Sequence, residues 1–305
     1  MLKYAVGIGV VLAGAAGCRP APAERLPELV WGEQGIHAGQ LQKPRAIALD
    51  ARDQLYLVDM LARIQVYDLD GRYLRGWRTP ASVNGRPCGL SVARNGDVLV
   101  ADTHYFRVLR YRPDGVLREE ATLGGTSGTG PGQFGFVTDA VEDSQGNVYV
   151  GEYGANDRIQ KFSPQGEFLL QWGAHGEAPG QFRRPQNLVI DREDRIWVAD
   201  ACNHRIQIFL ADGRLAACWG GEGREAGRFY YPYDLALDGE GHVFVCEYGN
   251  HRVQKLTCDG VPLASWGREG RGPGELHNPW GLARDRRGRL HVVDSSNHRV
   301  QRVSF

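Results

Sequence analysis

Short apolar runs and polar turns alternate along this chain with a period too short for helices. In one stretch the apolar triplet Leu235-Ala236-Leu237 gives way to the polar turn Asp238 to His242, and then to a second triplet, Val243-Phe244-Val245. Acidic Glu247 follows, a third apolar-alternating run starts after Arg252, and a fourth ends at Trp266-Gly267. Runs of this length, bounded by Gly and Asp, read as β-strands. The order repeats. The place of Pro232 is taken by Pro44, Pro87, Val137, Pro185 and Pro279, at intervals of about 43 to 50 residues. Asn250-His251-Arg252-Val253-Gln254 returns as Asn297 to Gln301, Asn203 to Gln207 and Asn156 to Gln160, and more weakly as Leu61 to Gln65 and Tyr105 to Leu109. Asp-Gly pairs at 70–71, 114–115, 212–213 and 259–260 mark hairpins between third and fourth strands, where glycine supplies the positive φ of a tight turn.

Six repeats of four strands predict an all-β chain, a six-bladed β-propeller of four-stranded blades. The last repeat stops at Phe305 after its third strand. An unassigned Leu29-Val30-Trp31-Gly32 matches Leu170-Gln171-Trp172-Gly173, so the N-terminal strand is expected to complete the last blade and close the ring. Lys+Arg and Asp+Glu both number 36, which gives no net field to draw in nucleic acid; none is expected as a partner. Arg286, Arg287 and Arg289 crowd one turn of the final repeat and read as a solvated turn on the face away from the binding loops.

The N-terminal residues stand apart. Lys3 precedes the apolar run Ala5 to Ala16, which is shorter than the roughly 18 to 20 residues of a membrane-spanning helix, and small residues lead to Gly17-Cys18. Residues 1–17 read as a signal peptide and 18–27 as a modified cysteine with a Pro-rich linker, ahead of a propeller over 28–305. The segment resembles a bacterial lipoprotein signal, with Ala15 where Leu is usual. That resemblance implies lipidation of Cys18 and a lipid-anchored protein of the cell envelope, at the outer membrane or the periplasmic face of the inner one. Membrane contact is expected through the anchor only. The other five cysteines, Cys88, Cys202, Cys218, Cys246 and Cys258, match no metal or redox spacing, and no disulfide is assigned.

Over Leu29 to Phe305 the repeats, seen in full in Pro232 to Asp238, Val243 to Glu247 and Asn250 to Gln254, resemble the NHL-repeat family. The resemblance implies a six-bladed propeller. It implies no single activity, because that family includes RNA binders, amidating lyases, sensor ectodomains and envelope proteins.

Residues present in every repeat belong to the scaffold. Six acids at the end of the second strand (Asp59, Asp102, Glu152, Asp200, Glu247, Asp294) and six arginines opening the third (Arg63, Arg107, Arg158, Arg205, Arg252, Arg299) are expected to pair and fix the intervening loop. His204, His251 and His298 share that loop and that role, and the recurrent tryptophans with Phe182 and Phe229 read as packing between blades. Function is expected where the repeats differ. Two residues past the Pro position stand Ala46, Gly89, Asp139, Asn187, Asp234 and Gly281. Asp139, Asn187 and Asp234 could hold Ca²⁺ or another divalent ion at the channel; the alternative is that they bond loop amides. One position earlier stand Arg45, Cys88, Thr138, Gln186, Tyr233 and Trp280, and Tyr105, Phe136, Tyr153, Tyr230, Tyr231 and Tyr248 lie in nearby loops. Such an aromatic face suits a protein, peptide or glycan, with Arg45, Tyr105, Gln186, Tyr233 and Trp280 as contact residues. The expectation is a monomeric binding propeller with no catalytic residue assigned. The alternative is a divalent-metal-dependent, lactonase-like hydrolase or lyase at the channel mouth.

Overall fold

The computed structural model describes residues 25–154 and 156–305. The signal segment 1–17 and Cys18 lie outside the described residues. Strand β1 is Leu29–Trp31. Blade 1 then comprises β2 (Pro44–Leu49), β3 (Leu55–Asp59), β4 (Arg63–Tyr67) and β5 (Tyr73–Arg78). Blade 2 comprises β6 (Gly89–Val92), β7 (Val98–Asp102), β8 (Arg107–Tyr111) and the two-residue β9 (Leu123–Gly124). Blade 3 is β10 (Phe136–Glu142), β11 (Val148–Tyr153), β12 (Arg158–Phe162) and β13 (Phe168–Trp172). Blade 4 is β14 (Pro185–Ile190), β15 (Ile196–Asp200), β16 (Arg205–Phe209) and β17 (Leu215–Gly220). Blade 5 is β18 (Pro232–Leu237), β19 (His242–Glu247), β20 (Arg252–Thr257) and β21 (Pro262–Trp266). Blade 6 is β22 (Pro279–Arg284), β23 (Leu290–Asp294) and β24 (Arg299–Val303), with β1 as its outer strand.

The expected closure is present: β1 runs antiparallel to β24, with Leu29 opposite Arg302 and Trp31 opposite Val300. Inner strands β2, β6, β10, β14, β18 and β22 contact one another in ring order around a central channel. Burial follows position in the blade. The second strands β3, β7, β15 and β23 are buried at every residue because both faces meet neighbouring blades, whereas outer β5 alternates half-buried and exposed side chains. The hydrophobic cores therefore lie between blades. At the seam, Trp31, Val293 and Val300 of blade 6 pack with Leu41, Ile47, Leu55, Leu57 and Tyr67.

A second acidic repeat caps the turns on the opposite face. Asp50, Asp143, Asp191, Asp238 and Asp285 each accept from backbone N–H groups two and four residues ahead, the geometry of an Asx turn. Arg289 pairs with Asp285 at 2.7 Å in one of these turns, on the face away from the channel mouth.

Candidate functional site

All six acid–arginine pairs form, at 2.5 Å for Arg63–Asp59, 2.8 Å for Arg107–Asp102, 2.7 Å for Arg158–Glu152, 2.8 Å for Arg205–Asp200, 2.6 Å for Arg252–Glu247 and 2.7 Å for Arg299–Asp294. Five of these guanidiniums also reach the loop that enters their own blade. Arg205 donates to the carbonyls of Glu177, Ala178 and Gln181, and Arg299 to those of Arg271, Gly272 and Glu275. Arg107 has no such loop beneath it, because the segment entering blade 2 lacks the bridged turn of the others; its Nη2 is buried without a partner. Burial raises the carboxyl pKa of Asp102 and Asp200.

The repeated histidines join one blade to the next. Nδ1 of His204, His251 and His298 accepts the backbone N–H of Tyr231, Asn278 and Lys43 at 3.1, 3.0 and 3.0 Å. This fixes the tautomer with the proton on Nε2. Asp157 takes the same role in blade 3, accepting from Arg184 N at 3.0 Å.

A β-bulge after the Pro position shifts the register of five inner strands and re-aims the two side chains that follow. One of the two bonds along the ring. Asp139 Oδ2 accepts from Asn187 Nδ2 at 2.9 Å and Leu188 N at 3.1 Å, Asn187 Oδ1 accepts from Leu235 N at 3.1 Å, and Asp234 Oδ2 accepts from Leu282 N at 2.7 Å. Blade 3 is thus tied to blade 4, 4 to 5 and 5 to 6. Opposite this belt the equivalent residues are small by necessity: a Cβ on Gly89 would lie 2.1 Å from Thr138 O, and one on Gly281 2.7 Å from Arg45 O. One side-chain oxygen of each of Asp139, Asn187 and Asp234 is thus turned to an amide of the next blade. Among the described residues no group of three or more His, Cys, Asp or Glu is placed to hold a metal ion. Burial raises Asp139 to a pKa of about 7 and Asp234 well above the usual carboxyl range, while Asp139 Oδ1 has no hydrogen-bond partner.

The other re-aimed side chain forms the mouth of the channel, which encloses about 330 Å³. Trp280, Tyr233 and Tyr248 cluster there, with ring centroids 4.9 Å apart for Tyr233–Trp280, 4.5 Å for Tyr233–Tyr248 and 5.7 Å for Tyr248–Trp280. The guanidinium of Arg45 lies 5.0 Å from the Trp280 ring centroid and donates to Pro87 O at 3.3 Å. Gln186 is buried and accepts from Arg184 Nε at 2.9 Å. Arg184 spans the rings of Tyr153 and Tyr233, at 5.0 and 5.6 Å. Burial pushes the Tyr233 phenol up to about 12, and this ring is a packed wall and not an open face. Cys88 is buried, its thiol directed at Thr138 O at 3.3 Å, and Thr138 Oγ1 donates to Pro185 O. Tyr105 stands apart from this cluster in the loop of blade 2, its hydroxyl accepting from Asn84 N at 3.0 Å.

Sequence reasoning brought Arg45, Gln186, Tyr233 and Trp280 to one place and missed Arg184. The signal for Arg184 is its position directly before the repeat's proline. There blades 1, 4, 5 and 6 carry Lys43, Arg184, Tyr231 and Asn278, all with positive φ, so in these four blades the backbone is shared and the side chain varies.

Three segments, 182–209, 229–256 and 276–303, match the family model "NHL repeat"; they cover the three inner strands of blades 4, 5 and 6. The chain is 31% identical over 173 residues to "NHL repeat-containing protein 3" of Mus musculus, covering 52% of this chain and 49% of that one. It is 37% identical over 125 residues to "Peptidylglycine alpha-amidating monooxygenase" of Rattus norvegicus, covering 38% of this chain and 13% of that one. The match thus spans about half the length of the first relative and far less of the second. Among solved structures, a streptogramin B lyase superposes with a TM-score of 0.62 at 14% identity, covering 86% of this chain and 93% of that one. An auxiliary nutrient binding protein from Bacteroides thetaiotaomicron gives 0.65 at 13% identity, covering 87% and 69%. At such identities the structural likeness concerns the fold alone. The chain carries NHL repeats on a six-bladed, all-β propeller whose four-stranded blades are antiparallel.

Proposed function

We propose that this protein is a binding propeller that takes a protein, peptide or glycan ligand at the loop face, centred on the channel mouth formed by Arg45, Gln186, Tyr233 and Trp280. The observation that carries this reading is where the repetition breaks. Acid–arginine pairs and histidine bonds repeat around the ring as scaffold, while the mouth position holds Arg, Cys, Thr, Gln, Tyr and Trp in turn. Aromatic rings and arginine are the residue types that dominate binding energy at recognition surfaces. The Cys18 signal supports a protein tethered to the cell envelope, touching the membrane only through its anchor and away from nucleic acid, and we take it to act as a monomer. The test is partner capture with the full chain against Trp280→Ala and Arg45→Ala. Loss of the partner from both, with unchanged thermal melts, is expected; capture unaffected by either rejects the mouth as the site.

A catalytic reading, as a hydrolase or lyase, draws on one observation. The Asp139 carboxyl, held near a pKa of about 7 with an unpartnered oxygen in the channel wall, is poised for general acid–base work. That reading requires Asp139→Asn to abolish a measurable turnover, whereas the binding reading attaches none to it.

A further inference from the structure

Most arginines buried in this scaffold face an acid: Arg63, Arg107, Arg110, Arg158, Arg205, Arg252, Arg289 and Arg299 each lie within 2.9 Å of a carboxylate oxygen. Arg45 and Arg184 do not. Both are partly buried at the channel mouth, and neither forms an ion pair among the described residues. Their surroundings are the rings of Trp280, Tyr153 and Tyr233 and the side chain of Gln186. The carboxylates nearest the ring, Asp139 and Asp234, are turned to the amides of neighbouring blades and are disfavoured as anions by burial. A guanidinium carries five N–H donors and stays charged at any physiological pH. Arg45 uses one of these on Pro87 O and Arg184 one on Gln186 Oε1, so most of their donors have no acceptor from the protein. Two cations in one mouth repel each other, and an anion held between them relieves that repulsion. Their planar forks match a carboxylate in bidentate fashion.

We propose that Arg45 and Arg184 anchor a carboxylate of the ligand, presented at the end of an acyl or peptide chain whose body lies against the Trp280–Tyr233–Tyr248 cluster. This inference rests on the mouth being the ligand site. A chain-end carboxylate fits better than the uronate of a glycan. A pyranose stacks flat on an open aromatic face, and here Arg45 covers Trp280 while Arg184 and Tyr248 cover Tyr233, whereas a narrow acyl or peptide chain needs only the ring edges.

The test is calorimetric titration of the full chain with N-acetylphenylalanine and with its neutral amide, with glucuronate and glucose as the sugar pair. The acid is expected to bind roughly ten- to a hundredfold more tightly than the amide, the worth of one or two charge-assisted bonds. Arg45→Gln and Arg184→Gln should each bring the acid down toward the amide. If either variant melts early, Arg45→Lys and Arg184→Lys keep the charge and remove the fork, and a partial loss is expected from them. Equal affinity for acid and amide overturns the carboxylate anchor while leaving the mouth as a binding site. Absence of binding by both acids at millimolar concentration overturns the anchor, and the neutral probes then decide the mouth reading. A preference for glucuronate over the acyl acid overturns the chain-end assignment.

Discussion

Replacing Arg205 and Arg107 in turn by lysine separates two roles that one repeated residue plays in this ring. Both arginines sit 2.8 Å from an aspartate that is fully buried, and both pair through Nε. A lysine ammonium can still face that carboxylate, so neither change strands a buried acid. The difference lies beyond the pair. Arg205 also donates to three carbonyls of the loop entering blade 4, at 2.6, 2.9 and 2.8 Å, whereas Arg107 has no carbonyl acceptor and leaves Nη2 without a partner. Lysine cannot span the aspartate and three carbonyls at once. At about 1 kcal/mol net for each hydrogen bond lost, Arg205→Lys should cost about 2 to 3 kcal/mol and Arg107→Lys less than about 1 kcal/mol. Urea unfolding followed by tryptophan fluorescence measures both, with the slope checked so that only midpoints differ. Equal losses, or a larger one at Arg107, would refute the argument that the arginine's chief work is to hold the entering loop.

Trp31→Ala removes the indole that packs on Tyr67 at 4.7 Å across the seam, and should cost about 3 to 5 kcal/mol by urea midpoint. His204, His251 and His298 have imidazole pKa values pressed below 6.5 by burial, and protonation would turn Nδ1 from an acceptor into a donor facing an N–H. Their contribution is full above about pH 6.5 and is lost as pH falls below it, so the melting temperature should drop on acidification while NMR titration places all three below the free value. Asp139 acts in the opposite sense. Its folded pKa, raised to about 7 from 3.8, favours the folded state most at low pH and loses that contribution as pH rises through about 7, so Asp139→Asn should gain stability on the wild type between about pH 5 and 8.

The number of blades, the strand order within each, the closing strand and the acid–arginine pairing were legible in the sequence because each follows from a local pattern repeated six times. Six copies of one loop report one geometry. Leu29 to Gly32 could be placed for the same reason, since Trp31 stands where Trp172 stands in blade 3. The sequence alone did not decide where the non-repeating side chains point. Asp139, Asn187 and Asp234 admitted both a cation site and loop bonding; the β-bulge after the proline turns them toward the next blade, and register of that kind depends on how inner strands meet around the ring. Tyr233 read as an exposed contact and is instead a packed wall beneath Tyr248 and Trp280. The mutual repulsion of Arg184 and Arg45 belongs to the closed ring alone, because the two stand in different blades and at different positions of the repeat. A repeating chain therefore specifies its frame by periodicity, while the chemistry at the centre depends on closure, which brings the exceptions of separate blades to one mouth.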